Sequence, residues 1–509
     1  MKILPFRGYL RQYRGEGRCV LSERSSAVRV SNFYSLGVSQ PSLEFLDVDI
    51  RRDTKVFVDP HAFTYLSTDW GRECVSLLQD FYGEVMEAIR ANDRKRGRYL
   101  LARLGESNEA HLGLSLADSG GSGVAEILAD EIFDALSTSR AVTTGLLTDV
   151  QETVLFVPGV GHDRVSDMTI NIVRKPLIEF THRMCALYEI EVIDDVDSGP
   201  MWNRHSHSWE AELVPMPMPN SKLLLIPKGV VRKTSTFDPG EYLTHFVLPY
   251  LQQVELSKPS SRLVQTRTSR KRRGERFVTK KSIREENKKP TKELNTEATE
   301  ANPALLDAYR QSKSGQTEPP DHEEIAAITA TPMPDWDQLL ADVLAIPSGP
   351  AHADTYHRAV MHLLTALFYP ALDMPLREVN IHQGRKRIDI VYTNVSESGF
   401  FHWLNNAGDV PCGLVVVECK NYTGALANPE LDQLTSRFST RRGKFGLLCY
   451  RGFRDKKATV VQRCRDAALD DRGAVIALDD DDLGILVESR KDGELTLFKY
   501  LMQRYQELI

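Results

Sequence analysis

The sequence predicts an α/β domain at its C-terminal end, preceded by a larger α+β region. Three observations carry this. An unbroken valine run in Gly413–Tyr422 (GLVVVECKNY) reads as a strand buried on both faces. An amphipathic helix, Asp354–Phe368, and a hairpin-like stretch, REVNIHQGRKRIDIVYTN, precede it. Upstream, residues 1 to about 256 mix short apolar runs with helical periodicity.

In that first region, Lys55–Asp59 (KVFVD) and Leu223–Ile226 (LLLI) read as short buried strands. Val75–Ile89 reads as an amphipathic helix, with Leu77, Leu78, Phe81, Val85 and Ile89 near helical spacing. Gly120-Gly121-Ser122-Gly123 precedes an apolar helix, Val124–Leu136. It lacks the GK[ST] ending of a phosphate-binding P-loop, so a turn is the expected reading. His205 and His207 have the alternation by which two imidazoles share a strand face as metal ligands, but no third ligand accompanies them. Asp163 and Asp167 follow an apolar run. A turn and a helix N-cap at Ser166 or Asp167 is the expectation, against a catalytic or metal-binding alternative.

Residues 257–345 form a charged connecting region with helical segments. Lys258–Lys292 holds 14 Lys and Arg against three Glu, including Arg270, Lys271, Arg272 and Arg273. Such a block reads either as a solvated linker or as an arm that contacts phosphates. Asn302–Gln311 looks helical, and Ser312–Glu323 has the Gly, Pro and charge of a linker.

At roughly 100–200 residues per domain, 509 residues allow about three domains. Hydrophobic residues at 41% exclude general disorder. Seven scattered cysteines without a CxxC pair argue against a zinc ribbon and a disulfide scaffold. No signal-peptide-like stretch and no apolar run of membrane-spanning length is present, so a soluble cytoplasmic protein is expected. The net charge of -6 conceals an asymmetry: without Lys258–Lys292 the rest carries about -17. The total therefore does not argue against a nucleic-acid partner.

The last region, 346–509, carries the chemistry. In the helix Asp354–Phe368, Val360, Leu363, Leu364 and Leu367 form the core stripe. Gly384 sits at the hairpin turn and Arg387–Tyr392 forms the return strand. Alternate strand residues share a face, so Glu418 and Lys420 project together, away from Val417 and Cys419. Asp389 projects away from Ile388 and Ile390. If the two strands are neighbours, Asp389, Glu418 and Lys420 converge. Two carboxylates then form an oxygen site for a hard cation such as Mg²⁺, and the ammonium beside them can orient water or stabilise phosphate charge.

Ile388-Asp389-Ile390 followed by Glu418-Cys419-Lys420 resembles the PD-(D/E)xK nuclease superfamily, the restriction-endonuclease-like fold, in its Mrr-like branch. Asp432-Gln433-Leu434 is similar to the helix-borne Gln of that branch. Phe445–Tyr450, a helix near Ala458–Ala468 and Ala474–Leu478 supply the remaining strand–helix–strand. The resemblance spans roughly residues 350–490. It implies a mixed central sheet flanked by helices and a Mg²⁺-dependent endonuclease, with Mn²⁺ as a substitute. Its implied substrate is nucleic acid, usually DNA, and its implied setting is prokaryotic restriction or anti-phage defence. Asp389 and Glu418 are the implied metal ligands, with Lys420 and Gln433 beside them. Mrr-like domains commonly carry a Glu on the first helix; here Tyr356-His357 occupies that place. His357 is either an altered ligand or a helix-face residue without a special role, and Glu378 is another candidate acid.

Arg437, Arg441, Arg442, Lys444, Arg451, Arg454, Lys456 and Lys457 follow the motif and are candidates for phosphate contacts or for a solvated surface. The block Arg270–Arg273 is the other candidate nucleic-acid contact. The N-terminal region is expected to be a sensor, specificity or assembly module. A homo-oligomer or a defence-system protein is the further partner the resemblance allows. The alternative expectation is a nucleic-acid-binding protein with an inactive nuclease fold.

Overall fold

The computed structural model describes residues 27–66, 68–113, 122–138, 149–233, 236–267, 274–313, 319–381, 385–424, 426, 428–452 and 456–509. The chain is mixed α/β and builds two hydrophobic cores.

The first core draws mainly on residues from Val30 to Ile325. Its longest helix, α1 (Asp69–Arg90), buries Leu77, Leu78, Phe81, Val85 and Ile89, as the periodicity predicts. The Thr68 side chain accepts from the Gly71 N–H and caps it. Gly71 is required there, because a Cβ would lie 2.5 Å from that of Leu66. Helices α2 (His162–Ile172) and α3 (Arg174–Tyr188) follow. The strands here are short two-stranded pairs, such as Phe57–Val58 against Val231–Arg232.

Leu223–Ile226 is buried but is not a strand. Its backbone bonds leave the ladder: Leu223 donates to the Pro217 carbonyl, Leu224 to the Glu109 carbonyl and Leu225 to Thr181 Oγ1. Apolar content correctly signals burial, and the irregular partners decide the conformation.

The stretch 257–345 does not stand apart. Ile283, Leu294, Ala298, Leu306, Tyr309 and Ile325 all belong to the first core. Much of its positive charge is spent locally. Arg262 pairs with Glu286 and Lys289 with Glu297. Lys292 Nζ donates to the carbonyls of Val157 at 2.8 Å and Val160 at 2.6 Å. Arg270, Lys271, Arg272 and Arg273 lie outside the described residues.

The second core forms around a five-stranded mixed sheet. Its strands are β1 (Leu372–Ile381), β2 (Lys386–Asn394), β3 (Leu414–Lys420), β4 (Phe445–Tyr450) and β5 (Ala474–Leu478). Their order is β5-β4-β3-β2-β1. β1, β2 and β3 pair antiparallel, while β3, β4 and β5 pair parallel. Parallel neighbours need long crossovers. Here these contain α6 (Asn428–Thr435), before β4, and α7 (Lys457–Leu469), before β5. Helix α5 (Ala353–Phe368) buries Val360, Leu363, Leu364 and Leu367. The Tyr392 hydroxyl of β2 donates to the Met361 carbonyl, 3.0 Å away, fixing this helix on the sheet. Helix α4 (Trp336–Leu344) contributes Val343 to the same core, so this unit starts before residue 346.

Tyr369, just before β1, and Met374, within it, belong to the first core instead. They mark the joint between the units. There the Lys228 ammonium sits 4.1 Å from the centre of the Tyr369 ring. Gly229 leaves room for Asp373, whose Oδ2 would lie 1.8 Å from an added Cβ. No helix among the described residues is long and apolar enough to cross a membrane.

Candidate active site

The sheet register assembles the site. Ile390 faces Val417 and Val391 faces Val416, and the next step of that antiparallel register sets Asp389 opposite Glu418. The Cys419 N–H donates to Asp389 Oδ2 at 2.9 Å, fixing that carboxylate against β3. Ile388 and Ile390 are fully buried on the other face, as alternation requires.

Glu418 is fully buried. Lys420 Nζ lies 2.6 Å from its Oε1, and Arg437 Nη1 lies 2.6 Å from its Oε2. Lys420 Nζ also donates to Gln433 Oε1 at 3.2 Å. Burial raises the Glu418 pKa, the charge of Asp389 adds to this, and Lys420 and Arg437 oppose it. Burial pulls the Lys420 ammonium down, but Glu418 and then Asp389 outweigh it, and its pKa is raised. Lys420 is therefore a cation at neutral pH.

His357, on α5, reaches the same place. Its Nε2 is 4.0 Å from Asp389 Oδ2. Burial lowers its pKa, with Asp389 opposing and Lys420 and Arg377 adding, so the imidazole is neutral at pH 7. Together these residues line a cleft of about 360 Å³ whose rim carries Arg385, Lys386 and Arg387.

Residues 35–238 match a protein family described as a domain of unknown function, DUF8370. No curated protein matches the chain. No solved structure matches it. The DUF8370 segment ends well before Asp389 and lies within the first core.

The chemistry-bearing pairs of the DUF8370 segment read differently in three dimensions. His205 and His207 lie in the turn between strands Met201–Asn203 and Ser208–Glu210, not on a strand face. His207 Nδ1 stands 3.5 Å from Asp80 and 3.4 Å from Glu84. Helix α2 begins at His162 with Gly161 at its N-cap, so Ser166 and Asp167 are inside the helix rather than capping it. Burial, with Asp163 second, raises the Asp167 carboxyl to about 8. Gly120 and Gly121 lie outside the described residues.

Asp389, Glu418, Lys420 and Gln433 come together as the sequence predicts. Arg437, which the sequence offers as a phosphate contact or a solvated surface residue, instead clamps Glu418. It lies two residues beyond the end of α6, in a turn, where no helical spacing points to its partner. Glu378 does not line the cleft. It sits at a left-handed position of β1, φ 52°, and pairs with Arg387 at 3.1 Å. Lys444 pairs with Asp471 at 3.0 Å, outside the cleft. Arg451 donates to the Val343 and Ile346 carbonyls, and Lys457 pairs with Asp479 and Asp482. These three serve packing of the unit. Arg454 lies outside the described residues.

Among the described residues, no group of three or more His, Cys, Asp or Glu could hold a metal ion on its own. Asp389 and Glu418 supply two carboxylates. Mg²⁺ characteristically takes one or two carboxylates and completes its octahedron with water and substrate phosphate. Each carboxylate oxygen has two lone pairs, so Glu418 can serve its two cations and a metal together. The donor set fits a hard divalent ion.

Proposed function

We propose that the chain is a metal-dependent nuclease of the PD-(D/E)xK type, with its catalytic unit built on the second core, from α4 onward, and DNA as its substrate. Restriction or anti-phage defence is the setting we propose for it. The observation that carries this reading is the pairing of Asp389 with Glu418 across β2 and β3, with Lys420 on the same face of a cation-rimmed cleft. The mixed sheet, antiparallel through β1–β3 and parallel through β3–β5, supports the restriction-endonuclease-like fold.

A divalent cation held by Asp389 and Glu418 supplies Lewis-acid stabilisation of charge on the phosphate. The residues of the chain do the rest. Lys420, kept protonated, orients the attacking water and stabilises negative charge as it develops. Gln433 accepts from the Lys420 ammonium and restrains its position. Arg437 holds Glu418 from its other oxygen. The rim cations Arg385, Lys386 and Arg387 meet the phosphates on either side of the cut, positioning the strand without reading its sequence.

A second reading is a nucleic-acid-binding protein with this fold and no cleavage activity. What favours it is His357, standing where an acid is expected beside Asp389, and the two cations that already occupy Glu418. Incubation of the full chain with DNA and RNA in Mg²⁺ or Mn²⁺ separates the two. Cleavage that disappears in Asp389→Ala and Lys420→Ala supports the nuclease. Cleavage that persists in both sinks the site assignment, and binding without cleavage favours the second reading.

A further inference from the structure

A larger cleft, of about 930 Å³, adjoins the candidate active site between the two units. They meet at two points. Val391 lines the larger cleft and is two residues beyond Asp389, so both stand on one face of β2, roughly 7 Å apart. The Nε of Arg442, another lining residue, donates to the carbonyl of Arg437 at 2.9 Å, and Arg437 lines the smaller cleft.

The opposite wall belongs to the first unit. It consists of the start of α1, with Trp70 and Arg72, and of Arg183 on α3. The lining includes four arginines, Arg72, Arg183, Arg441 and Arg442, against the single carboxylate of Asp69, which pairs with Arg72. The Arg183 guanidinium lies over the Phe180 ring, 5.7 Å from its centre. Trp70 is held in place, its Nε1 donating to the Pro176 carbonyl at 2.8 Å. A groove that combines excess positive charge with fixed aromatic and apolar surface suits a nucleic-acid strand, whose backbone is anionic and whose bases are flat and apolar.

We infer that this cleft carries the nucleic acid away from the cut site, and that the first unit grips it through Arg72 and Arg183. The inference rests on the nuclease reading for its class of ligand. It gives the first unit a direct part in substrate binding, with the arginines of both units on one continuous path.

The test is binding by the full chain, in Ca²⁺, to long DNA and RNA oligonucleotides over a range of salt. The double variant Arg72→Ala with Arg183→Ala should bind about tenfold more weakly, and its slope of log K against log salt should fall by about two, one for each lost phosphate contact. The double lysine variant, which keeps the charge, should recover most of that slope, which separates lost contacts from lost folding. An unchanged slope in the alanine variant, with wild type that binds and cleaves, overturns the groove and leaves the nuclease standing. Wild type that neither binds nor cleaves DNA or RNA overturns the nuclease reading and the groove with it.

Discussion

Arg437 holds Glu418 in a buried ion pair, with Nη1 2.6 Å from Oε2 and both side chains almost without exposure. Lys420 occupies the other oxygen. Removing one partner of a buried pair leaves a charge in low dielectric, which costs about 3–5 kcal/mol. Arg437→Ala should therefore destabilise the chain by about 3 kcal/mol, since Lys420 still serves Glu418. Combining Glu418→Gln with Arg437→Ala should cost less than the two single changes added, because the Arg437 guanidinium is then no longer buried without its carboxylate. Urea denaturation of the four proteins gives the coupling, and strict additivity would show that the pair does not act as one.

Asp389 and Glu418 oppose each other electrostatically, since the charge of Asp389 raises the pKa of an already buried Glu418. The attraction of Asp389 for the Lys420 ammonium offsets only part of this repulsion. Asp389→Asn keeps an oxygen for the Cys419 N–H and removes the like charge. It should stabilise the chain by about 1 kcal/mol while abolishing the proposed cleavage, the trade expected where function maintains strain. A urea midpoint that falls in this variant would contradict the assigned repulsion.

Lys420 and Gln433 are separable. Lys420→Ala removes the proposed transition-state cation and should lower the rate of cleavage about 10²–10³-fold, the range for loss of one preorganised electrostatic group. Gln433→Ala leaves that cation in place and only loosens it, so its effect should be smaller, about tenfold or less. Single-turnover cleavage with saturating enzyme compares them. Equal losses would make Gln433 a direct participant.

The site was legible because its residues are close in sequence and their geometry is periodic. Asp389 and Glu418–Lys420 sit on strands, where alternation alone fixes which side chains share a face. The strands β2 to β5 could be read from apolar runs for the same reason, whereas β1 starts at Leu372, five residues before the hairpin pattern at Arg377. Leu223–Ile226 could not, since its hydrogen bonds go to Pro217, Glu109 and Thr181, three places no local pattern reveals. The stretch 257–345 misleads through composition. Its charge suggests a connector, yet Leu294, Tyr309 and Ile325 are buried, and Lys292 is bonded to carbonyls 132 and 135 residues away. Arg437 was recognised as a cation but not as a clamp, because its partner is decided by the sheet and not by its neighbours in the chain.

The joint between the units should be acid-sensitive through His322. Its ring is buried against Tyr369 and Trp336, with Nε2 2.8 Å from the Ala366 carbonyl. Burial, with Lys228 adding, lowers its pKa to about 3. In the unfolded chain the same group titrates near 6.5. Between these values the unfolded state binds a proton that the folded state does not, so stability is full above pH 6.5 and is lost as the pH falls towards 3. At about 1.4 kcal/mol per pH unit, the loss from this group between pH 6.5 and pH 5 is about 2 kcal/mol. His322→Gln keeps a donor for the Ala366 carbonyl and cannot titrate. Denaturation at the two pH values should show the variant losing about 2 kcal/mol less than wild type over this interval. The same loss in both would mean that the acid sensitivity arises elsewhere, with His362, whose pKa burial lowers to about 4, the next group to replace.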